Sequence, residues 1–333
     1  MNGGYGMKFI VYFSELFPKS KKMADLQTSF PEIELIPVED STPQDIEQAH
    51  AFVGARMPLD HFQQAKGLKI VFVNFTGPNM LPLDMLRDRH VRLSNTHGNA
   101  RYVAERAVAM ALSFYGKIIT YNDDLKTGKW HGLYGRVGLQ DTWETIHGKH
   151  CATLGTGEIG RWIAQFLKVF DCRVIGFKNR PVQGELAPFD EITLDLDEAV
   201  SKSELIFVTL PITAETEKMI DAKKLADMSG KVLINVGRGS VIDEEGLYYA
   251  LKDGILKGAA IDVWYAYPPP GPPSLVYPSK YPFHELPNVI LSPHVGGFTP
   301  QATQLNTDQV IENITAYLKT GRPRFEMDLH RMY

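Results

Sequence analysis

Gly155-Thr156-Gly157-Glu158-Ile159-Gly160 decides how this chain reads. The pattern is G-x-G-x-x-G. Before it, His150–Leu154 has the composition of a short buried strand; after it, Arg161–Phe170 has the apolar spacing of a helix. In that context the first glycine permits a tight turn and the second lets backbone approach a phosphate. The third lets the helix pack closely on the strand. Backbone N–H groups and the positive end of the helix dipole then face the pyrophosphate of a dinucleotide. Taken alone, the motif also fits an ordinary glycine-rich strand–helix turn.

Working outward, Arg173–Phe177, Leu205–Thr209, Val232–Val236, Gly258–Asp262 and Val289–Leu291 are strand-like and rich in Val and Ile. Glu244–Lys252 reads as a helix capped by Asp243 and ended by Gly254. This alternation predicts an α/β fold with doubly wound parallel sheets and helices on both faces. Upstream, Phe9–Phe13, Ile33–Pro37, Ala51–Gly54 and Ile70–Asn74 read as strands, with Asp60–Ala65 helical. Thr76-Gly77-Pro78 breaks the pattern just past a strand end and, by its residues alone, is a turn. Arg101–Lys117 is the clearest helix, with Val103, Ala107, Met110, Ala111, Phe114 and Ile118 on one apolar face. Thr299–Thr320 reads as a terminal helix, with Thr299 as cap, Pro300 at its first position and Gly321 ending it. Tyr121–Ile146 carries Trp130, Tyr134 and Trp143 and is too aromatic for a free linker. It reads either as a subunit interface or pocket wall, or as a local packing cluster. Pro268-Pro269-Pro270-Gly271-Pro272-Pro273 reads as a stiff surface spacer.

A chain of 333 residues is long for a single core, so two domains are expected. Hydrophobic residues at 44% and charged residues at 22% describe an ordinary globular balance. A net charge of −4 supplies no broad basic field, which argues against nucleic acid as a partner. Apolar runs such as Phe9-Ile10-Val11 are too short to span a bilayer, so no membrane partner is expected. The first residues, Met1–Gly6, lack a secretory pattern, and the two cysteines show no C-x-x-C. Both features suit a reducing cytoplasm. The ten histidines show no ligand spacing, so no metal is expected.

Dinucleotide choice is decided at the end of the second strand of such a unit. An Asp or Glu about 20 residues past the glycines binds the ribose 2′-hydroxyl of NAD. Lys178-Asn179-Arg180 fills that place here. These side chains suit a 2′-phosphate, so NADP(H) is preferred over NAD(H), which is not excluded. Arg238 follows a strand in Asn235-Val236-Gly237-Arg238-Gly239, and its guanidinium fork matches a substrate carboxylate. By itself it equally fits a structural ion pair. His294, just past the last strand, titrates in the range needed to give a ketone its proton.

Gly155–Gly160, Val208-Thr209-Leu210-Pro211, Asn235–Gly239, Ala260-Ile261-Asp262-Val263 and Ser292-Pro293-His294-Val295-Gly296-Gly297 occur in this order. By them the chain resembles the D-isomer-specific 2-hydroxyacid dehydrogenases, over nearly its whole length. The resemblance implies two Rossmann-like domains with the active site in a cleft between them. The substrate domain would be discontinuous, residues 7–100 plus 298–333, with the dinucleotide domain at 101–297. It implies a homodimer with 121–146 at the interface, and a 2-keto acid or D-2-hydroxy acid as substrate. Arg238 would hold the substrate carboxylate and carbonyl oxygen, and His294 would act as general acid and base. Phe75, Thr76, Gly77 and Asn99 would complete the substrate site. Cofactor contacts would come from Val103, Gly155, Thr156, Gly157, Glu158, Ile159, Lys178, Asn179 and Arg180. Further contacts would come from Leu210, Pro211, Thr216, Val236, Gly237, Asp262 and Gly297, with Asp262 on the nicotinamide amide.

One departure matters chemically. The family usually places Glu five residues after the Asp matching Asp262, where it bonds the catalytic His; here that residue is Tyr267. A phenol would orient the ring without raising its pKa, so His294 is expected to titrate lower than in relatives with Glu. Glu285 is an alternative partner. Pro78-Asn79-Met80 also departs from the usual Asp-Asn pair. Two other readings follow: the same fold acting on an unusual hydride donor such as formate or phosphite, or a non-catalytic nucleotide-sensing interaction protein.

Overall fold

The computed structural model describes residues 6–12, 21–54, 57–78, 80–135, 141–181, 186–269, 272 and 275–329. The expectations for Phe13, Asn79 and parts of 121–146 and of the Pro-rich run fall outside them. Two compact units are present: Met1–Asn99 with Phe298–Tyr333, and Ala100–Gly297.

The first unit contains β1 (Met7–Val11), α1 (Lys21–Ser29), β2 (Ile33–Pro37), α2 (Pro43–Glu47) and β3 (Ala51–Val53). It continues with α3 (Leu59–Gln64), β4 (Ile70–Phe72), α4 (Leu83–Asp88) and β5 (Arg92–Ser94). The chain end adds α11 (Pro300–Thr320) and β13 (Glu326–Met327). The sheet order is β13-β5-β4-β3-β1-β2. Strand alternation divides its core: Phe9 and Val11 of β1 face Val310 and Ile314 of α11, whereas Ile10 faces Phe52 and Phe62. β13 pairs antiparallel with β5 at the edge of a sheet whose other strands pair in parallel. An edge strand reached from the end of a helix need not cross over, so nothing forces it parallel. The α11 termini form as their residues dictate: Thr299 accepts from the Ala302 N–H, Pro300 opens the helix, and Gly321 closes it at φ 75°.

The second unit begins with α5 (Ala100–Tyr115) and α6 (Ile118–Lys126), followed by β6 (His150–Leu154), α7 (Glu158–Lys168) and β7 (Arg173–Phe177). Then come β8 (Glu191–Thr193), α8 (Leu196–Ser201), β9 (Leu205–Val208), α9 (Ala222–Asp227), β10 (Val232–Asn235), α10 (Glu244–Lys252), β11 (Gly258–Ile261) and β12 (Val289–Leu291). All pair in parallel, in the order β12-β11-β10-β9-β6-β7-β8. β9 and β10 are buried throughout, and apolar except for Asn235, because both faces are covered. Leu205 and Phe207 pack toward α5 and α7, and Ile206 and Val208 toward the opposite layer. Chain order reverses between β6 and β9. That switch point is where open α/β sheets leave a crevice for ligands.

Two boundaries differ from the sequence reading. α7 starts at Glu158, not Arg161, because Gly157 serves as its N-cap. α5 ends at Tyr115, and Lys117 turns the chain at φ 49° before α6. Ile118 therefore leaves the apolar face assigned to it and is exposed.

Candidate active site

The glycine turn is built by contact with the neighbouring strand. Gly155 leaves β6 at φ +114°, and a Cβ there would lie 2.5 Å from Thr209 Oγ1. The Thr209 hydroxyl lies 3.1 Å from the carbonyl oxygens of both Leu154 and Gly155, which ties the turn across the switch point. A Cβ on Gly160 would sit 2.1 Å from the Gly155 carbonyl oxygen, so α7 rests directly on the turn. Gly157 is different. Its φ is −72° and an added Cβ would meet nothing within 4 Å. The fold has no need of glycine there, and its absent side chain leaves the backbone open to close approach. No side chain caps α7, so its first N–H groups are left for a ligand. The cradle fits a dinucleotide pyrophosphate, with Thr156, Glu158 and Ile159 completing the turn.

Lys178, Asn179 and Arg180 follow β7 as expected, but they do not form a simple basic loop. Asn179 Nδ2 donates to Glu215 Oε2 at 2.7 Å, and Arg180 Nη2 lies 3.7 Å from Glu215 Oε1. Glu215 rides on a fixed turn after β9. There Thr216 Oγ1 donates to the Pro211 carbonyl at 2.6 Å and accepts from the Thr213 N–H at 2.8 Å. The same bonds position Leu210, Pro211 and Thr216.

Past β10, Asn235 shapes the Arg238 loop with its own amide. Its Oδ1 accepts from the Gly237 N–H at 3.1 Å and its Nδ2 donates to the Arg238 carbonyl at 3.1 Å. The flanking glycines allow close approach: a Cβ on Gly237 would lie 2.7 Å from the Leu210 carbonyl oxygen, and one on Gly239 2.4 Å from that of Trp264. Arg238 Nη1 donates to the Gly237 carbonyl at 2.7 Å. Burial lowers the guanidinium pKa, with Tyr267 acting weakly in the other direction, and the group remains charged.

His294 stands in a loop held by Asp262. One carboxylate oxygen accepts from the Ser292 hydroxyl and, at 3.0 Å, from the Val295 N–H; the other accepts from the Gly296 N–H at 2.9 Å. His294 itself is at φ 57°, a left-handed conformation that this clamp must maintain. Assigned on resemblance to the nicotinamide amide, Asp262 has both oxygens engaged with the His294 loop. Tyr267 meets His294 ring to ring, centroids 5.5 Å apart and planes at 53°. Its hydroxyl oxygen accepts from the Trp264 N–H at 3.0 Å. The phenol therefore packs against the imidazole, and among the described residues no hydrogen bond joins them. Glu285 is corrected as an alternative partner: it is exposed and lies 3.8 Å from His284. Desolvation lowers the His294 pKa, Asp262 partly offsets that, and Arg238 lowers it further.

Within the first unit, Phe75, Thr76 and Gly77 follow β4. Thr76 Oγ1 donates to the Thr96 carbonyl at 3.0 Å and lies 3.1 Å from Asn99 Oδ1, while Asn95 Nδ2 donates to the Thr76 carbonyl at 2.9 Å. Among the described residues the N–H groups of Thr76 and Gly77 have no partner. Val103 lies below Gly296, whose added Cβ would come 3.7 Å from the Val103 Cα, next to Gly297; Val236 is buried beside Gly237. The sequence reading missed Thr209, Glu215, Trp264 as a bonded partner, and Ser292. Trp264 Nε1 donates to the Ser292 carbonyl at 2.8 Å, and Arg106 Nη2 to the Ser292 hydroxyl at 3.0 Å. Thr209 and Ser292 carried a signal, their places in the Val208–Pro211 motif and beside Pro293-His294. Among the described residues no His, Cys, Asp and Glu cluster could hold a metal ion, and no helix is long and apolar enough to cross a membrane.

Residues 108–296 match the family model for the D-isomer specific 2-hydroxyacid dehydrogenase, NAD binding domain. The chain is 28% identical over 270 residues to glycerate dehydrogenase of Methylorubrum extorquens, covering 80% of this chain and 81% of that one. It is 30% identical over 263 residues to glyoxylate reductase of Thermofilum pendens, covering 78% and 74%. Its fold matches NADPH-dependent glyoxylate/hydroxypyruvate reductase of Sinorhizobium meliloti in complex with NADP and malonate. That match has a TM-score of 0.74 at 22% identity and covers 98% of each chain. The protein belongs to the D-isomer-specific 2-hydroxyacid dehydrogenase family. It is an enzyme of that class, with a nicotinamide cofactor.

Proposed function

We propose that the protein is an NADPH-preferring reductase of small 2-keto acids, with the D-2-hydroxy acid as product and the reverse oxidation as its other direction. The observation that carries this reading is the set Arg238, Tyr267, Asp262 and His294 at the carboxyl ends of β10, β11 and β12, in the unit that holds the open Gly157 cradle. Arg238 binds the substrate carboxylate and carbonyl oxygen through its guanidinium fork. His294, held in its loop by Asp262, gives that oxygen a proton. The nicotinamide, when bound, supplies the hydride. Gly155–Ile159 hold the pyrophosphate and Lys178, Asn179 and Arg180 the 2′-phosphate. On the family resemblance, Thr76 and Gly77 of the first unit are further substrate-binding residues, with Asn99 fixing Thr76. The relatives named as reductases of glyoxylate and hydroxypyruvate support a small substrate, and the S. meliloti enzyme supports NADPH. We assign the exposed aromatic segment around Trp130 and Tyr134 to a homodimer interface.

The test is NADPH oxidation, followed by absorbance, across 2-keto acids from glyoxylate and hydroxypyruvate to phenylpyruvate, with NADH in parallel. Arg238→Ala is expected to lower kcat/KM by roughly 10²–10³-fold, as loss of an oriented charged donor does. Cofactor binding without turnover across the panel would overturn the reading and point to an unusual hydride donor. Turnover untouched by the substitution would overturn the role of Arg238.

A further inference from the structure

The loop after β7 is not simply basic. It is closed on a carboxylate from another strand's loop. Asn179 Nδ2 donates to Glu215 Oε2 at 2.7 Å, and Arg180 Nη2 faces Glu215 Oε1 at 3.7 Å. These are two of the three groups available to a 2′-phosphate at this place. The contact is also open to water, with the Glu215 side chain 63% exposed and that of Arg180 43%. An exposed pair of this kind is weak and opens readily. The backbone beneath Glu215 is held, since its N–H donates to Thr213 Oγ1 at 3.2 Å and Thr216 anchors the turn to Pro211. Rotation of the Glu215 side chain can therefore open its contacts with Asn179 and Arg180.

We propose that Glu215 is a specificity-determining residue for the cofactor, a carboxylate that competes with a 2′-phosphate for Asn179 and Arg180 and accepts from a ribose 2′-hydroxyl when that phosphate is missing. This rests on the dinucleotide reading of the unit. Like charges cannot share one pair of donors at close range, so a 2′-phosphorylated cofactor must turn Glu215 out. With NAD(H) the carboxylate stays. It then does the work that an Asp or Glu at the end of the second strand does in NAD-binding units, a place filled here by Lys178-Asn179-Arg180. The carboxylate comes from the loop after β9 instead, and the enzyme accepts both cofactors while Glu215 limits the margin between them.

The experiment compares the wild-type enzyme with Glu215→Gln and Glu215→Asp. Calorimetric titration with 2′,5′-ADP and with 5′-AMP reads affinity without turnover, and KM is measured for NADPH and NADH. Gln preserves the shape and a partner for Asn179 and removes only the charge. The expected result is a Kd for 2′,5′-ADP lower by about threefold to tenfold in Glu215→Gln. The ratio of KM for NADH to KM for NADPH should rise by a similar factor, and Glu215→Asp should stay close to wild type. A ratio that does not move in Glu215→Gln, while Asn179→Ala weakens 2′,5′-ADP, overturns the role of Glu215 and leaves the β7 loop as the phosphate site. A wild-type enzyme that prefers NADH would overturn the NADPH reading above, yet Glu215→Gln must still shift the ratio toward NADPH. Failure of the wild type to bind either fragment would overturn both.

Discussion

Tyr267 occupies the place where the family resemblance expects a glutamate, and the structure gives that replacement a chemical consequence. Its hydroxyl oxygen accepts from the Trp264 N–H and its ring packs on His294, so among the described residues the carboxylate acting on the imidazole is Asp262, which is bonded to the His294 loop. Desolvation then dominates and the imidazole pKa is lowered. With His294 as the proposed proton donor, reduction needs the protonated ring, so activity is expected to be retained at low pH and lost as pH rises through that lowered value. The reductive limb of kcat/KM should therefore turn down below the ordinary histidine value of about 6.5. Tyr267→Glu should move the limb upward by about one unit or more. A wild-type limb above pH 8 would defeat this account. Asp262 supports the same residue by different means. Asp262→Ala would leave the Ser292 hydroxyl and the Val295 and Gly296 N–H groups without their acceptor and free the φ 57° turn of His294. The expected cost is roughly 2–4 kcal/mol in chemical denaturation, with a fall in kcat larger than any change in cofactor KM. A variant as stable as wild type would show that water replaces the clamp.

Among the elements, the strand–turn–helix at the glycine motif separates what folding requires from what a ligand requires. Gly160→Ala should unfold or badly destabilise the unit, because its Cβ would fall 2.1 Å from a carbonyl oxygen that belongs to the turn itself. Gly157→Ala should fold with nearly unchanged Tm, since its φ is ordinary and the space is empty, and yet bind cofactor at least tenfold more weakly. Thermal melts paired with cofactor titration decide it; a Gly157→Ala variant with full affinity would remove the pyrophosphate from this turn. The stretch between α6 and β6 holds a second device. His131 Nε2 lies 2.7 Å from Asp124 and its Nδ1 meets Asp141, an arrangement that favours the imidazolium, in which both ring nitrogens donate. Its pKa is raised, chiefly by the bond to Asp141. Raised in the folded state, it contributes stability fully below the unfolded value near 6.5, and that contribution is lost as pH rises through the folded one. A ring-proton NMR titration should give a midpoint above 6.5. His131→Gln should abolish any pH dependence of proteolytic protection in this stretch. Such pairings explain what the sequence left unread. The long parallel runs, the Asp243 and Thr299 caps and the ordered motifs are local signals that survive in one dimension. β8, α8 and α9 are too short to show a period, and the partnership of Glu215 with Asn179 joins loops after two different strands.

For the whole molecule, the same stretch poses a problem that a single chain does not solve. Leu133 is 90% exposed and Tyr134 79%, and Ile118, Trp130 and Trp143 are also open to solvent. An apolar collection this dense on one exposed segment suits an interaction surface, and within the segment Tyr121 stacks on His131 at 4.5 Å while Trp130 meets Tyr134 at 6.1 Å. A second copy of the chain is the occupant we assign. In a two-fold interface every substitution acts twice. Burial of a leucine side chain is worth roughly 2 kcal/mol, so Leu133→Asp should cost a dimer about 4 kcal/mol, or approximately 10³-fold in Kd. Sedimentation at micromolar protein should show a dimer for the wild type and a monomer for Leu133→Asp. Because Leu133 packs against so little of its own chain, the melting of the separated variant at low concentration reports only the missing partner. A wild type that sediments as a monomer would return this surface to an unassigned state. A variant that remains dimeric would place the interface on another face.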